Sequence, residues 1–482
     1  MASNGGETPH RRGIMTREMD LDAIRYTSSI KFDTEIMKAV IYVNVAHIKE
    51  LAAANYLEPS TALEAAKTLA ELLDKPITVS DEEDIHIAVE RHLSQGYPDV
   101  AAMLSFGKSR NDAVVAAVKI RLRERMLELY LELLKAAETL LKRCIREAET
   151  IFPVYTHLQR AMPATYGFVL ASYALRLIKT TPQLKHVLDL CSESPLGSAA
   201  AAGTDIILNR RRLADMLGFE RVSLNALEST ASRDFILSAL GVTHAIALIL
   251  SSIAEEMVIY SSEEFGLLKM PDELAATSSV MPQKRNPVVA EIMRTKAGET
   301  LGHVAAVSSI LARQPSGYSL DLQQVTPKVW QALDEVVESL RLLSKMVEKV
   351  EVDVERAYKA CMPPTAAVFL ANYITLRYGL PFRKAHGLAG RISRLIAEDR
   401  LGRDTLAKTV SELGLDLTLS VEEILEVMEP RRAVKAYVGV GSANPSKVVE
   451  TAELALGRVA VEREWAARRR EEWGRALSRL LG

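Results

Sequence analysis

DAVVAAVKIRLRERMLELYLELLKAAETLLKRCIREAET, residues 112–150, is the stretch whose reading decides the fold. It holds neither Pro nor Gly, and its apolar side chains recur at helical spacing: Val115, Val118, Leu122, Met126, Leu129 and Leu133. One helix of that length would run roughly 58 Å at ~1.5 Å per residue, well beyond a typical globular helix. Comparable segments follow at 235–265, 287–313 and 327–362, with Gly241 and Gly298 among the few interruptions. Alternating strand patterns are nearly absent; short possibilities sit near Thr78 and at 437–440. The centre therefore predicts a bundle of very long helices in an all-α chain.

The flanks read differently. Residues 1–107 carry shorter segments punctuated by Pro59, Pro76, Gly96 and Pro98. After Met362-Pro363-Pro364 the segments shorten again, with breakers at Gly379-Leu380-Pro381, at Gly414 and from Gly439 to Pro445. This predicts three helical domains, 1–107, 108–362 and 363–482, the middle one elongated. The 482 residues are ample for a sizeable core, and 48% hydrophobic with 25% charged content excludes disordered and fibrous classes. Sixty basic against 62 acidic side chains give no electrostatic reason to bind nucleic acid or an anionic membrane. Cys144, Cys191 and Cys361 are too scattered for a disulfide framework or a cysteine zinc site. The polar start, ending in His10-Arg11-Arg12, has no apolar run behind it, and the greasiest stretch, 245–253, is too short to span a bilayer. A cytoplasmic protein without membrane or nucleic-acid partners is expected.

Between the helices lies one island with unusual chemistry: Ala276-Thr277-Ser278-Ser279-Val280-Met281-Pro282-Gln283-Lys284-Arg285-Asn286-Pro287. Hydroxyls, two cations and an amide stand directly before a helix that starts at a proline, a normal start signal. Such a loop can offer N–H groups, a lysine and an asparagine to a carboxylate while setting a serine beside a carbon to be deprotonated. For a Ser-rich stretch met alone, helix capping would be the commoner explanation. The run resembles the signature loop of the fumarase/aspartase superfamily, Ser-Ser-x-Met-Pro-x-Lys-x-Asn-Pro, and so many linked positions make the match specific. Thr277 stands where that superfamily usually has Gly, a residue free to adopt positive φ, which implies a different resting geometry.

Other islands are similar to the argininosuccinate lyase family within that superfamily. Lys108-Ser109-Arg110-Asn111-Asp112 opens the longest helix and resembles its Ser-Arg-Asn-Asp motif; at a helix N-terminus these side chains suit carboxylates. Tyr155-Thr156-His157-Leu158-Gln159 and Glu83-Asp84-Ile85-His86 through Glu90 resemble two more of its segments. His157 reads as a loop or helix-start imidazole, and His86 and Glu90 share a helix face at i, i+4. Residues 26–33 resemble its N-terminal substrate strand-loop, 195–204 its small-residue loop, Ser232-Arg233-Asp234-Phe235 its Asp-Arg-Asp-Phe turn with Ser in place of the first Asp, and 379–386 a late helix start. Two departures stand out: Ser105-Phe106-Gly107-Lys108 replaces the usual His-Thr-Gly-Arg, and Gln324-Val325-Thr326 follows Tyr318 to Gln323 where the family has Glu-Asp-Lys.

The resemblance implies reversible β-elimination of argininosuccinate to arginine and fumarate. It makes Ser278 the base, His157 the proton donor to the leaving nitrogen (oriented by a carboxylate such as Glu291), and Lys284 and His86 catalytic partners. Ser29, Ser109, Arg110, Asn111, Thr156, Arg233, Asn286, Tyr318 and Gln323 would bind substrate. It implies no metal and no organic cofactor, a small-molecule substrate, and a homotetramer whose active sites are shared between subunits. The alternatives are adenylosuccinate lyase, whose signature often carries Lys-Arg-Asn-Pro, or another fumarate-releasing member of the superfamily, and a catalytically silent structural protein on the same scaffold.

Overall fold

The computed structural model describes residues 19–77 and 83–482. The strand possibility at Thr78 lies outside the described residues. The chain is mostly helical, with four two-stranded pairings among the described residues. The longest central helix spans Arg110–Arg146. It starts there because Ser109 and Asp112 form a capping box: the Asn111 N–H donates to Ser109 Oγ, and the Ser109 N–H to Asp112 Oδ1 at 3.0 Å. The stripe from Val115 to Leu133 is buried as its spacing implies. The helix stops short of Thr150, where the Glu147 N–H closes the last turn on Arg143.

Helix Thr326–Lys349 packs against it, and helices Asp234–Tyr260 and Val288–Leu311 pack on Thr326–Lys349 and on each other to complete the bundle. The expected helix 327–362 is broken. Val350 turns extended, Glu351–Val352 pairs with Leu268–Lys269, and Asp353 caps a new helix, Val354–Ala360. Neither Pro nor Gly marks that break; β-branched residues and an Asp cap make it. By length and composition Asp234–Tyr260 could cross a membrane, and half of its most apolar window is buried. The apolar run is thus longer than 245–253, yet its packing against two other long helices makes it a bundle helix.

Strands appear where none was expected. Ile151–Thr156 and Gln159–Thr165 form an antiparallel hairpin with a register shift between Val154 and Tyr155. Residues 437–440, by contrast, form no strand. The segment 26–33 is helical rather than a strand-loop, with Leu21–Thr27 and Ile30–Asp33 meeting at Ser28-Ser29.

One contiguous core runs through the bundle and takes in side chains from the N-terminal flank, such as Ile41, Leu69 and Leu93. A smaller core gathers Leu370, Ile374, Leu388, Ile392, Leu406 and Ile424. The final helix, Pro445–Leu481, leaves that smaller unit and lies along Arg110–Arg146, burying Val448, Ala452 and Val459 in the main core. Residues 363–482 therefore do not pack as one separate body, because the last helix presents its apolar stripe to the bundle.

Candidate active site

The N-terminal flank, the start of the longest helix and the 318–326 turn enclose a pocket. Ser29, His86, Arg110, Arg233, Tyr318 and Gln323, all singled out from sequence, line it together. Ser29 is set by its N–H on Glu83 O at 3.0 Å, and its hydroxyl donates to Asp33 Oδ2 at 2.6 Å. His86 rides on helix Ile85–Ser94, which Asp84 caps by accepting the Ile87 N–H at 2.9 Å. Asp84 also pairs with Arg110. Arg233 precedes helix Asp234–Tyr260 and is 2% exposed. Its Nη1 donates to Thr230 O and Ser232 O, while its Nε is buried without a hydrogen-bond partner.

Burial governs the electrostatics here. It pulls Arg233 down to about 10, lowers Arg110, and raises the Tyr318 phenol. It also raises the Asp33 carboxyl, against the pull of the Ser29 hydroxyl, an Ile85 N–H and the Arg110 charge. Two guanidiniums facing a partly desolvated cleft suit a small polyanion. Sequence reasoning did not single out Asp33, Asp84 or Thr326 as site residues, although all three line the pocket. The first two stand inside motifs already quoted, beside Ser29 and His86, and that adjacency was the available signal.

The remaining candidates do not line this pocket. Ser109 is the cap of the longest helix, and Asn111 donates from Nδ2 to Ala200 O at 2.8 Å. Asp112 accepts the N–H groups of Gly197 and Ala199 at 3.1 and 2.9 Å, so the small-residue loop is tied to the helix start. Gly197 has φ +84°, and a Cβ there would come within 2.7 Å of the Arg210 side chain, so only glycine fits.

Thr156 and His157 are exposed at the tip of the 151–165 hairpin. His157 and Leu158 have φ of 54° and 56°, the two-residue loop with positive φ that matches strand twist. His157 is thus a hairpin-turn imidazole, not a helix start. Non-glycine residues held at positive φ cost energy and concentrate at functional sites. No contact joins His157 to Glu291 within the described residues.

The 276–287 loop is also a hairpin. Ala276–Thr277 pairs with Arg285–Asn286. Thr277 is therefore an extended strand residue, and the missing Gly costs nothing in this geometry. Arg285 fastens the base by donating to Met270 O at 3.1 Å and pairing with Asp272. Ser278 Oγ accepts the N–H groups of Val280 and Met281 at 3.2 and 3.1 Å. Lys284 projects from the exposed part of the loop and Asn286 from its closing strand.

Comparison with known proteins places the chain in a family. A family model described as Lyase matches residues 13–302. The chain is 34% identical to an argininosuccinate lyase of Methanothermobacter thermautotrophicus, covering 94% of this chain and 97% of that one. It is likewise 34% identical to an argininosuccinate lyase of Methanoculleus marisnigri, over 97% and 96% of the two chains. The solved structure of an EDDS lyase in complex with formate superposes with a TM-score of 0.86 at 23% identity, over 95% and 93% of the chains, which speaks for the fold alone. With a lyase model over more than half its length and argininosuccinate lyases matched almost end to end, the chain belongs to the lyase family, in its argininosuccinate lyase group.

Proposed function

We propose that this enzyme cleaves argininosuccinate reversibly to arginine and fumarate, as part of arginine biosynthesis in the cytoplasm. The observation that carries the reading is the Ser278 oxygen held by two backbone N–H donors. β-Elimination next to a carboxylate needs a base for the Cβ proton, and a serine hydroxyl is far too weak an acid to serve unaided. Two N–H dipoles aimed at its oxygen favour the alkoxide. The charge that develops on the substrate carboxylate would be met by Lys284, Asn286, Ser109, Asn111 and Thr156. His157 would give a proton to the departing nitrogen, and Arg110, Arg233, Tyr318 and Gln323 would hold substrate with Ser29 and His86 beside them.

Ser278, Lys284 and His157 sit on exposed hairpins of their own chain, away from the pocket lining. That separation supports a homotetramer whose sites combine segments of different subunits. Apolar faces on the central bundle support it too: Leu248, Ile292 and Leu301 are 51%, 61% and 54% exposed in the single chain.

The adenylosuccinate lyase reading loses ground because relatives matched almost end to end at 34% identity are argininosuccinate lyases. The experiment is to follow the ultraviolet absorbance of fumarate on adding argininosuccinate, adenylosuccinate, aspartate or malate. Argininosuccinate is expected to be turned over far faster than the others; a clear preference for another compound overturns the reading.

A further inference from the structure

Lys108 breaks a local rule. It stands one residue before the cap of the longest helix, where the helix dipole is positive and a cation is disfavoured. A residue that violates local preference inside a well-ordered network is a candidate for function.

Three elements converge on it. Its ammonium donates to Asn44 Oδ1 on helix Met37–Ala53, and Asn44 is 5% exposed. From the same helix His47 faces it, with Nε2 3.1 Å from Phe106 O. Glu90 of helix Ile85–Ser94 and Asp112 of the helix that Lys108 precedes place negative charge around it. Asp112 in turn holds the N–H groups of Ser109, Gly197 and Ala199. The three residues that follow Lys108 are Ser109, Arg110 and Asn111.

We propose that Lys108 is a positioning residue: its ammonium, anchored on Asn44 and balanced by Asp112 and Glu90, fixes the helix start that presents Ser109, Arg110 and Asn111 to the substrate carboxylates. The inference rests on the elimination reading above for the identity of the substrate. Lys108 itself touches no reacting atom, and its effect passes through Asp112 and the helix start.

The surroundings give this role a pH signature. Burial pulls the Lys108 ammonium down to about 8, against the fields of Asp112 and Glu90. Among its neighbours, His47 is held well below its ordinary value by burial and by Lys108. Asp112 is raised to about 6 by burial. Arg210, which feels the Asp112 charge, is lowered by burial and stays far above neutrality as an arginine. Lys108 is thus the group in this cluster whose charge is lost just above neutral pH.

The test measures fumarate binding by calorimetry from about pH 7 to about pH 9.5, with KM and kcat for argininosuccinate alongside, in wild type, Lys108→Arg and Lys108→Met. Wild-type affinity should fall about tenfold across that range, whereas Lys108→Arg, charged throughout, should stay within about threefold. Lys108→Met should bind at least about tenfold more weakly at neutral pH and lose its pH dependence, with KM raised more than kcat is lowered. If Lys108→Met fails to fold, the comparison of wild type with Lys108→Arg still decides. An identical basic limb in those two proteins, or wild-type binding by a folded Lys108→Met, overturns the proposal. Should the fumarate limb behave as described while argininosuccinate is not cleaved, Lys108's role stands and the substrate reading falls.

Discussion

Ser278 Oγ accepts the Met281 backbone N–H at 3.1 Å, inside a loop closed by the pairing of Thr277 with Arg285. The donor lies three residues downstream, so the loop's own backbone favours negative charge on that oxygen. Replacing Ser278 by Ala should keep fold and assembly and lower turnover by several orders of magnitude. Steady-state kinetics checks this. Retention of more than about a tenth of the rate, under about 1.4 kcal/mol of lost transition-state stabilisation, would remove Ser278 from the role of base.

Assembly gives a second test. Ser278→Ala and His157→Ala proteins, each inactive alone, should regain activity when mixed and reassembled, because one hybrid site can collect an intact copy of each residue. Sedimentation should show a tetramer. Full activity in a dilute monomer would contradict shared sites.

The third prediction concerns the departures at 324–326. Val325 is fully buried and cannot face substrate, whereas Thr326 lines the pocket. Thr326→Lys should therefore lower KM for argininosuccinate with little change in kcat, since the added charge acts on ground-state binding away from the reacting carbon. Lys328 does not line the pocket, and its charge acts on His303 instead. Lys328→Ala should leave KM within about twofold. A large rise in KM on losing Lys328 would show that it supplies the missing cation.

Asp112 carries a pH-dependent stability term. Burial raises its carboxyl from 3.8 to about 6, so between those values the folded state binds more protons than the unfolded state. Stability contributed by this group therefore falls as pH rises through that window. Asp112→Asn does not titrate there. Urea unfolding at fixed protein concentration should show the wild type losing ground to Asp112→Asn as pH rises from about 4 to about 6. A difference that is flat, or that grows in favour of the wild type, would mean Asp112 is not desolvated as described.

Much of this was legible in the sequence, for identifiable reasons. Helices Arg110–Arg146, Asp234–Tyr260 and Val288–Leu311 were visible because periodic apolar residues ran on with few breakers. The 151–165 hairpin was not, because Pro153 and Pro163 look like breakers. They sit opposite each other in an isolated two-stranded ribbon, where each strand has an unpaired edge that tolerates proline. The break at Val350 was missed because no Pro or Gly announces it. Motifs named the candidate residues, but only the fold shows which of them share a pocket in one chain: Ser29 and Tyr318 lie far apart in sequence and line the same cleft.

The central claim is most directly tested in the synthetic direction. Arginine and fumarate supplied together should yield argininosuccinate, detected by mass spectrometry, with Ser278→Ala producing essentially none. Absence of that product with wild-type enzyme, while another amine is joined to fumarate under the same conditions, would contradict the account.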